Sequence, residues 1–313
     1  MPTLNDIWCA AERIAPFAHK TPVLTSRSLN ADSGAELYFK CENFQRIGAF
    51  KFRGACNAVF ALSESDAARG VATHSSGNHA AALALAGALR GIAVTVVMPE
   101  STVRVKVDSV RRLGAKIVFC ADNHTARIDT LNRVVAETGA SFIHPFENEQ
   151  VMAGQGTAAL ELIREVGRID VFIAPISGGG LLAGNAVAVT GLCPGAEIIG
   201  AEPEGADDAA RSFAAGKPLK NAATNTISDG LRADIGQLNF DILQHCGARI
   251  LTVSDAETMA ALRMVMERLK IVIEPSCATV LAAILKFKHQ FAGRRVGVLL
   301  SGGNVDFDAL RFA

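Results

Sequence analysis

The sequence predicts an α/β fold made of two open parallel-sheet αβα domains. Short apolar stretches of strand length alternate with amphipathic stretches of helix length along most of the chain. Such alternation is typical of parallel sheets that carry helices on both faces. The chain has 313 residues, which at about 150 residues per domain favours two domains. Half of the residues are hydrophobic, which is enough for a sizeable core.

The apolar stretches and the helical patterns occur in a regular order. In the first half of the chain, strands are predicted at residues 36–42, 70–75, 93–99, 116–120 and 141–145. Helices are predicted between them at residues 52–62, 78–90, 102–114 and 124–139. In the second half, strands are predicted at 170–177, 196–203, 249–254 and 295–301, and helices at 180–189, 255–270 and 277–291. Segment 216–230 has the composition of a long surface loop.

The charge balance argues against a nucleic-acid-binding protein. Lys and Arg together number 31, as do Asp and Glu, so the formal net charge is zero. Proteins that bind nucleic acids normally carry a basic excess or a basic stripe, and this sequence has no block of basic residues.

Neither a membrane span nor an export signal is predicted. Residues 171–196 carry no charge, but Pro175, Asn185 and Pro194 indicate a strand, a loop and a helix. The first sixteen residues contain acidic side chains and lack the apolar core of a secretory signal. The seven cysteines include no CxxC pair, which favours a reducing, cytoplasmic location.

Ligands of open parallel sheets bind at the carboxyl ends of the strands. Four polar, glycine-rich segments are placed where such a site is expected. They are Gly48–Ala55, Ser75–His79, Ser177–Gly180 and Ser301–Asn304.

The segment Ser177–Gly180 precedes a predicted helix. Backbone amides at the start of a helix bind anions, and glycine lets a phosphate approach closely. Taken alone, the glycines are explained better by a tight turn that requires positive φ. The segment matches neither GxGxxG nor GxxxxGK[ST], so neither a dinucleotide nor a nucleoside-triphosphate site is indicated.

Lys51 lies between Phe50 and Phe52. One interpretation is a surface lysine that extends past the start of a helix. The other is a partly desolvated amine with a lowered pKa, which suits Schiff-base chemistry.

The two remaining segments also have two interpretations each. Ser75–His79 either caps a helix or supplies donors for a carboxylate. Ser301–Asn304 either forms a turn after a strand or presents a hydroxyl to a ligand heteroatom. Together the four segments supply an amine, a phosphate site, a hydroxyl and a carboxylate site. These are the contacts that pyridoxal phosphate and an amino acid require.

Eight motifs follow one another along the chain: KCENFQRIGAFKFRGA, THSSGNHAAALALA, GQGTAALEL, PISGGGLLAG, AEPEGADDA, SDGLR, IEPSCA and LLSGGNVD. With them the sequence resembles the fold-type II pyridoxal-phosphate enzymes. Within these it is similar to the group of serine/threonine dehydratases, serine racemases and 3-hydroxyaspartate dehydratases. The resemblance covers nearly the whole chain. It implies a large domain of residues 1–68 and 148–313, a small mobile domain of residues 69–147, a cofactor in the cleft between them and a homodimer.

The resemblance also implies a role for particular residues. Lys51 would hold pyridoxal 5'-phosphate covalently and act as a catalytic residue. The other cofactor-binding residues would be Phe50, Asn78, Ser177, Gly178, Gly179, Gly180, Leu181, Glu274 and Ser301. Ser301 would face the pyridine nitrogen, and a neutral serine there leaves the ring a weaker electron sink, which favours β-elimination.

The implied reaction converts a β-hydroxy amino acid into a keto acid and ammonia. Ser75, Ser76, Asn78 and His79 would bind the α-carboxylate, while Lys51 would take the α-proton. In racemases of the group, the serine that matches Ser76 is an acid/base on the opposite face. Racemisation therefore stays open as an alternative activity.

A metal site is implied at AEPEGADD. Glu202, the Ala206 carbonyl and Asp208 match residues that hold a cation in racemases of the group. Such oxygen ligands suit Mg²⁺, with Ca²⁺ or Mn²⁺ as alternatives. The alternative interpretation is a solvated acidic loop.

Arg127 bears on the choice of substrate. It falls where racemase-like members carry an arginine that can bind a second carboxylate, although a lone arginine on a predicted helix is often simply exposed. We therefore expect 3-hydroxyaspartate, converted to oxaloacetate, with L-serine and L-threonine as other candidate substrates.

The chain departs from the family pattern at three places. Ala49 replaces the usual serine before Phe-Lys. Ala233 replaces a serine that contacts substrate in serine racemases, which disfavours efficient serine recognition. Ala80 and Ala81 replace the GQ of animal racemases, which argues against nucleotide activation.

Four other functions compete with the hypothesis of a hydroxyaspartate dehydratase. A serine/threonine dehydratase comes next, and a serine or aspartate racemase follows. A catalytically silent metabolite sensor on the same scaffold is disfavoured by Lys51 and Ser76, and a nicotinamide dehydrogenase by the missing fingerprint.

Overall fold

The structure is a computed structural model that describes residues 1–307. These residues form two sheets with helices on both faces. The strands are β1 (Val23–Leu24), β2 (Glu36–Cys41), β3 (Val71–His74), β4 (Val94–Pro99), β5 (Lys116–Cys120), β6 (Ser141–Phe142), β7 (Val171–Pro175), β8 (Glu197–Pro203), β9 (Arg249–Val253) and β10 (Arg295–Leu300).

The helices lie between the strands and before β1. They are α1 (Leu4–Ile14), α2 (Arg27–Ser33), α3 (Lys51–Phe60), α4 (Glu64–Ala68), α5 (Asn78–Arg90), α6 (Arg104–Arg112), α7 (His124–Thr138), α8 (Glu149–Val166), α9 (Gly180–Leu192), α10 (Asp208–Ala215), α11 (Gln237–His245), α12 (Asp255–Leu269) and α13 (Pro275–Lys286).

The large sheet has six strands in the order β1-β2-β10-β7-β8-β9. All neighbours are parallel except β1, which pairs antiparallel with β2. One face packs against α1, α8, α9 and α11, and the other against α2, α12 and α13. The central strands β7 and β10 are almost entirely buried, as expected for apolar strands covered on both faces.

The small sheet has four parallel strands in the order β5-β4-β3-β6. One face packs against α3, α5 and α6, and the other against α7. The predicted α/β fold with two parallel sheets is therefore confirmed.

The uncharged stretch 171–196 folds as β7, a loop and α9, as the sequence predicts. Within residues 1–307, no helix is both long and apolar enough to cross a membrane. The seven cysteines are free thiols.

Candidate active site

Lys51 is the first residue of α3, and the backbone around it is tied to the end of β10. The amide of Phe50 donates to the carbonyl oxygen of Ser301 at 3.0 Å. The preceding turn contains Ile47 and Gly48, both with positive φ, at 57° and 71°. Such a left-handed conformation is unusual for isoleucine and requires support from its neighbours. Lys51 is thus held at the carboxyl end of a central strand.

The amine of Lys51 is partly desolvated. Its Nζ donates to the carbonyl oxygen of Pro145 at 2.8 Å and lies 5.2 Å from the centre of the Phe50 ring. Burial lowers the pKa of Lys51 to about 8, against the opposing effect of the Glu274 carboxylate. Of the two interpretations of this lysine, the structure favours the desolvated amine over the exposed one.

The glycine loop after β7 has the geometry of an anion site. Gly179 has φ of +90° and precedes the first residue of α9, Gly180, and no side chain caps this helix. A Cβ at Gly178 would lie 2.5 Å from the Phe146 ring, and one at Gly179 would lie 2.8 Å from the Cβ of Asn239. The glycines are therefore required by backbone conformation and packing, while the amides at the start of α9 are available to an anion.

The glycine loop lies beside Lys51. Phe146, which packs on the loop, directly follows the proline whose carbonyl accepts the bond from Lys51. The Ser177 hydroxyl is occupied by Ala233, since it donates to the Ala233 carbonyl and accepts from the Ala233 amide, each at 3.0 Å. Leu181 is buried. Any contact that Ser177 makes with a phosphate would therefore use its backbone amide.

Asn78 joins the loop after β3 to the large sheet. Its Nδ2 lies 3.3 Å from each carboxylate oxygen of Glu274, and its Oδ1 accepts from the side chain of Asn304 at 2.9 Å. Glu274 is 5% exposed, and burial raises its pKa to about 7. Ser301 is buried at the end of β10. The predicted cofactor residues of the two sheets are thus brought together, and Asn304 joins them.

The loop between β3 and α5 holds Ser75 and Ser76 half-buried. The Ser75 hydroxyl accepts from the amide of Gly77 at 3.2 Å. His79 is buried on α5, where its Nε2 lies 3.2 Å from the carbonyl oxygen of Ile143. Its Nδ1 has no hydrogen-bond partner among residues 1–307. Burial lowers the pKa of His79 well below its ordinary value, so the ring is neutral. Its part in binding a carboxylate stays a prediction.

Arg127 lies half-buried on α7 near the same loop. Its Nε is buried without a hydrogen-bond partner among the described residues, and the guanidinium is one of the causes that lower the pKa of Asp122. The pKa of His74 is lowered to about 4, mainly by burial and next by the Arg127 guanidinium. His74 directly precedes Ser75. A guanidinium with an unpaired Nε therefore lies beside the segment predicted to bind substrate.

Two neutral histidines lie between Lys51 and Arg127, and neither was predicted from the sequence as a site residue. The rings of His74 and His144 are 5.9 Å apart. Burial lowers the pKa of His144 to about 4, helped by His74 and Lys51. The Nδ1 of His144 accepts from the backbone amide of Glu147 at 2.8 Å, so its proton is on Nε2. His74 ends β3 and His144 lies two residues after β6. This position at the carboxyl end of a strand is the sequence feature from which they could have been predicted as site residues.

The predicted metal ligands Glu202 and Asp208 are buried carboxylates. Burial raises the pKa of Glu202 to about 8 and that of Asp208 to about 6. Asp208 accepts from the Ile235 amide at 2.7 Å and from Asn221 at 2.6 Å. Among residues 1–307, no three His, Cys, Asp or Glu side chains are grouped to hold a metal. Both oxygens of Glu202 accept from backbone amides, those of Ala209 and Ala210. The two carboxylates and the Ala206 carbonyl offer only oxygen ligands, which a hard cation prefers, and the metal site stays a prediction.

Comparison with known proteins decides the family. Residues 14–302 match a family described as pyridoxal-phosphate dependent enzyme. The chain belongs to this family of pyridoxal-phosphate-dependent enzymes. It is 48% identical to a beta-hydroxyaspartate dehydratase of Paracoccus denitrificans, over 99% of this chain and 98% of that protein.

Other pyridoxal-phosphate enzymes are similar over more than nine tenths of their length. A serine racemase of Oryza sativa subsp. indica is 48% identical, over 98% of this chain and 92% of that protein. The solved structure of maize serine racemase superposes with a TM-score of 0.96 at 44% identity, over 98% of this chain and 95% of that one. The resemblance to fold-type II pyridoxal-phosphate enzymes that the motifs indicate is therefore confirmed. The protein is an enzyme of the lyase and racemase branch of this family.

The site fits pyridoxal phosphate on its own geometry. The uncapped start of α9 suits the phosphate, and the Lys51 amine has the lowered pKa that covalent attachment requires. Ser301 and Glu274 are buried polar groups at the other end of the site. When bound, this cofactor supplies an electrophilic carbon and an electron sink for the α-carbon of an amino acid.

Proposed function

We propose that the protein catalyses β-elimination of a β-hydroxy amino acid to a keto acid and ammonia, and that 3-hydroxyaspartate is its substrate. Oxaloacetate would be the product, with L-serine and L-threonine as other candidate substrates. The choice of 3-hydroxyaspartate rests on Arg127, whose Nε has no partner among the described residues and which lies beside the loop of Ser75 and Ser76. A bidentate contact with a second carboxylate would satisfy the unpaired Nε of this half-buried guanidinium. A relative with 48% identity is named beta-hydroxyaspartate dehydratase.

The side chains divide the work of elimination between them. The loop of Ser75, Ser76 and Asn78, with His79 behind it, binds the α-carboxylate. Lys51 accepts the α-proton, for which a pKa of about 8 is well matched near neutral pH. The β-hydroxyl leaves with the electron pair of the Cβ–O bond and takes up a proton, so that the α-hydrogen and the β-hydroxyl are lost together as one water molecule. The released enamine then hydrolyses to the keto acid and ammonia.

The second candidate is a serine or aspartate racemase with elimination as a side activity. It requires an acid/base on the face opposite Lys51, and Ser76 occupies the loop where the racemases have theirs. A relative with 48% identity is named serine racemase. Return of the α-proton competes with loss of the hydroxyl, so both activities are compatible with the same site.

We propose that Glu202, Asp208 and the Ala206 carbonyl hold Mg²⁺, with Ca²⁺ or Mn²⁺ as alternatives. The hydrogen bonds support a role near the cofactor. Asp208 accepts from the Ile235 amide, and the next amide along the chain donates to the carbonyl oxygen of Gly178 at 3.2 Å. A cation at Asp208 would therefore order the segment that packs on the glycine loop.

We also propose that residues 69–147 move as a small domain against residues 1–68 and 148–313. Strands β3 to β6 all lie within residues 69–147 and form a sheet of their own, which supports this division. A hinge motion would close the Ser75–Ser76 loop over the substrate. The resemblance further suggests a homodimer, and the free cysteines suit a cytoplasmic location.

The deciding experiment compares kcat/KM for keto-acid release from L-threo-3-hydroxyaspartate and from L-serine, with Mg²⁺ present. A large preference for hydroxyaspartate supports the proposal. A preference for serine makes the protein a serine/threonine dehydratase or a racemase, and D-serine is then the next product to measure. The variant K51A should lose both the cofactor absorbance and turnover, and turnover without Lys51 would contradict the whole mechanism.

A further inference from the structure

Asn304 ends the motif Ser301–Asn304, of which only the serine has a role in the proposed reaction. Its side-chain amide carries two hydrogens, and both are used. One is donated to the carbonyl oxygen of Ile47 at 2.7 Å and the other to the Oδ1 of Asn78 at 2.9 Å. Ile47 belongs to the left-handed turn before Lys51. Asn304 therefore connects the turn that carries Lys51 to the loop that carries Asn78.

The bond from Asn304 also determines which way the Asn78 amide points. Because the Oδ1 of Asn78 faces the amino group of Asn304, its Nδ2 faces the two oxygens of Glu274 at 3.3 Å. The reverse orientation would place two amino groups against each other and an oxygen against a carboxylate. It would leave the buried carboxylate of Glu274 without the Asn78 donor, which is costly.

The position of Asn304 itself is constrained from two sides. A Cβ on Gly48 would lie 2.6 Å from the Oδ1 of Asn304, so the side chain packs directly on this glycine. The backbone amide of Asn304 contributes to holding the Glu274 carboxylate. Glu274 in turn donates its own amide to the carbonyl of Gly302 at 3.0 Å. The side chain is exposed to solvent, yet both hydrogen bonds that it donates go to residues of the site.

We propose that Asn304 is a positioning residue that sets the orientation of the Asn78 amide in the cofactor site. The proposal rests on the proposed function, because Asn78 is the residue expected to contact the cofactor ring hydroxyl and the substrate carboxylate. Without Asn304 the Asn78 amide is free to rotate, and the loop loses its tie to the turn before Lys51. Cofactor affinity falls together with the rate of the chemical step.

The test compares N304A and N304D with wild type and with the control N43A. Asn43 also donates its side-chain amide to a backbone carbonyl, that of Val272 at 3.1 Å, but it has no contact with Asn78. Apo-protein is titrated with pyridoxal phosphate to obtain Kd, and kcat and KM are measured on the holoenzymes. We expect N304A to raise the Kd for pyridoxal phosphate about tenfold and to lower kcat, because the variant loses both hydrogen bonds that Asn304 donates within the site. N304D should do at least as much, because a carboxylate donates to neither oxygen, while N43A should match wild type.

The double variant N78A/N304A separates positioning from general support. If Asn304 acts through Asn78, the double variant binds the cofactor no more weakly than N78A alone. Additive losses would overturn the proposal, as would a wild-type Kd in N304A and N304D. Asn304 is exposed, so neither single substitution removes core packing, and near-UV circular dichroism verifies the fold. If N304A and N304D bind the cofactor like N43A, the positioning role of Asn304 is wrong but the proposed elimination is not affected. The elimination is tested separately by K51A.

Discussion

The Nζ of Lys51 donates to the carbonyl oxygen of Pro145 at 2.8 Å, although the two residues are 94 positions apart in sequence. Lys51 begins a helix tied to the end of β10, and Pro145 follows the last strand of the small sheet. The bond thus joins the two halves of the site at the reactive amine. A carbonyl accepts a hydrogen bond from either form of the amine, so burial rather than this bond decides the protonation of Lys51.

The pH dependence of cofactor uptake should report this burial. Only the neutral amine is a nucleophile, and burial lowers the pKa of Lys51 to about 8. The rate constant for uptake of pyridoxal phosphate by apo-protein should therefore rise with pH around a midpoint near 8. In E274Q the midpoint should lie lower, because the Glu274 carboxylate raises the pKa of Lys51. A midpoint near 10.5, the ordinary value for lysine, would contradict the desolvated amine.

Glu274 should make the apo-protein less stable as the pH rises from 4.5 to 7. Its pKa is raised from 4.5 to about 7 in the folded state. Over this interval the unfolded chain has released the proton that the folded protein keeps, so stability is highest below 4.5 and is lost on approaching 7. The free energy of unfolding of E274Q minus that of wild type should increase by up to about 3 kcal/mol from pH 5 to pH 8, as measured by urea unfolding. E12Q, at an exposed position, is the control and should follow wild type at every pH.

Arg127 should discriminate between substrates that have one and two carboxylates. R127A should lower kcat/KM for L-threo-3-hydroxyaspartate by roughly 10- to 100-fold, as expected for a hydrogen bond to a charged group, and leave L-serine nearly unchanged. R133A is the matched control, because Arg133 is exposed on the same helix. Equal losses on both substrates would show that Arg127 supports the fold of α7 instead of binding substrate.

Ser76 should separate racemisation from elimination. In S76A, conversion of L-serine to D-serine should fall by about 10²- to 10⁴-fold, the range of a lost general acid or base, while pyruvate release changes little. S75A is the comparison, since a residue that only binds the α-carboxylate affects both products in parallel. If S76A loses both activities equally, Ser76 is a binding residue and racemisation requires another acid.

Much of the fold could be predicted because apolar periodicity is a local property. The central strands β7 and β10 were predicted to within two residues. Helix α8 was missed as an element, since Gly154 and Gly156 weaken its helical pattern. The structure gives the reason for Gly154: a Cβ there would lie 2.6 Å from the carbonyl oxygen of Arg53. That constraint comes from helix packing and is invisible in the local sequence.

The site could be predicted only where a motif carries the chemistry. Lys51 and the glycine loop stand out by residue type, whereas Asn304 acts through an atom of Asn78, 226 positions away. His144 likewise is recognised as part of the site only through its neighbours His74 and Lys51, since a lone histidine after a strand has no distinctive pattern. Pairings of this kind depend on tertiary structure and require coordinates.

Removal of the metal should weaken cofactor binding through the segment that joins the two sites. With no cation, Asp208 keeps the hydrogen bond from the Ile235 amide but lacks the further anchor that a bound cation would give it, so the segment that begins at Ile235 is held less firmly. Chelation with EDTA should therefore lower the Tm and raise the Kd for pyridoxal phosphate several-fold, and Mg²⁺ should restore both.

Asp207 and Asp208 form the matched pair for this test. Asp208 is buried, whereas the partly exposed Asp207 pairs with Arg211 at 2.7 Å on the surface. D208N should not respond to EDTA or Mg²⁺, and D207N should respond like wild type. If D208N keeps the full response, the cation binds elsewhere. If chelation leaves both the Tm and the Kd of wild type unchanged, the buried acids are stabilised by their backbone amides alone and no metal supports the glycine loop.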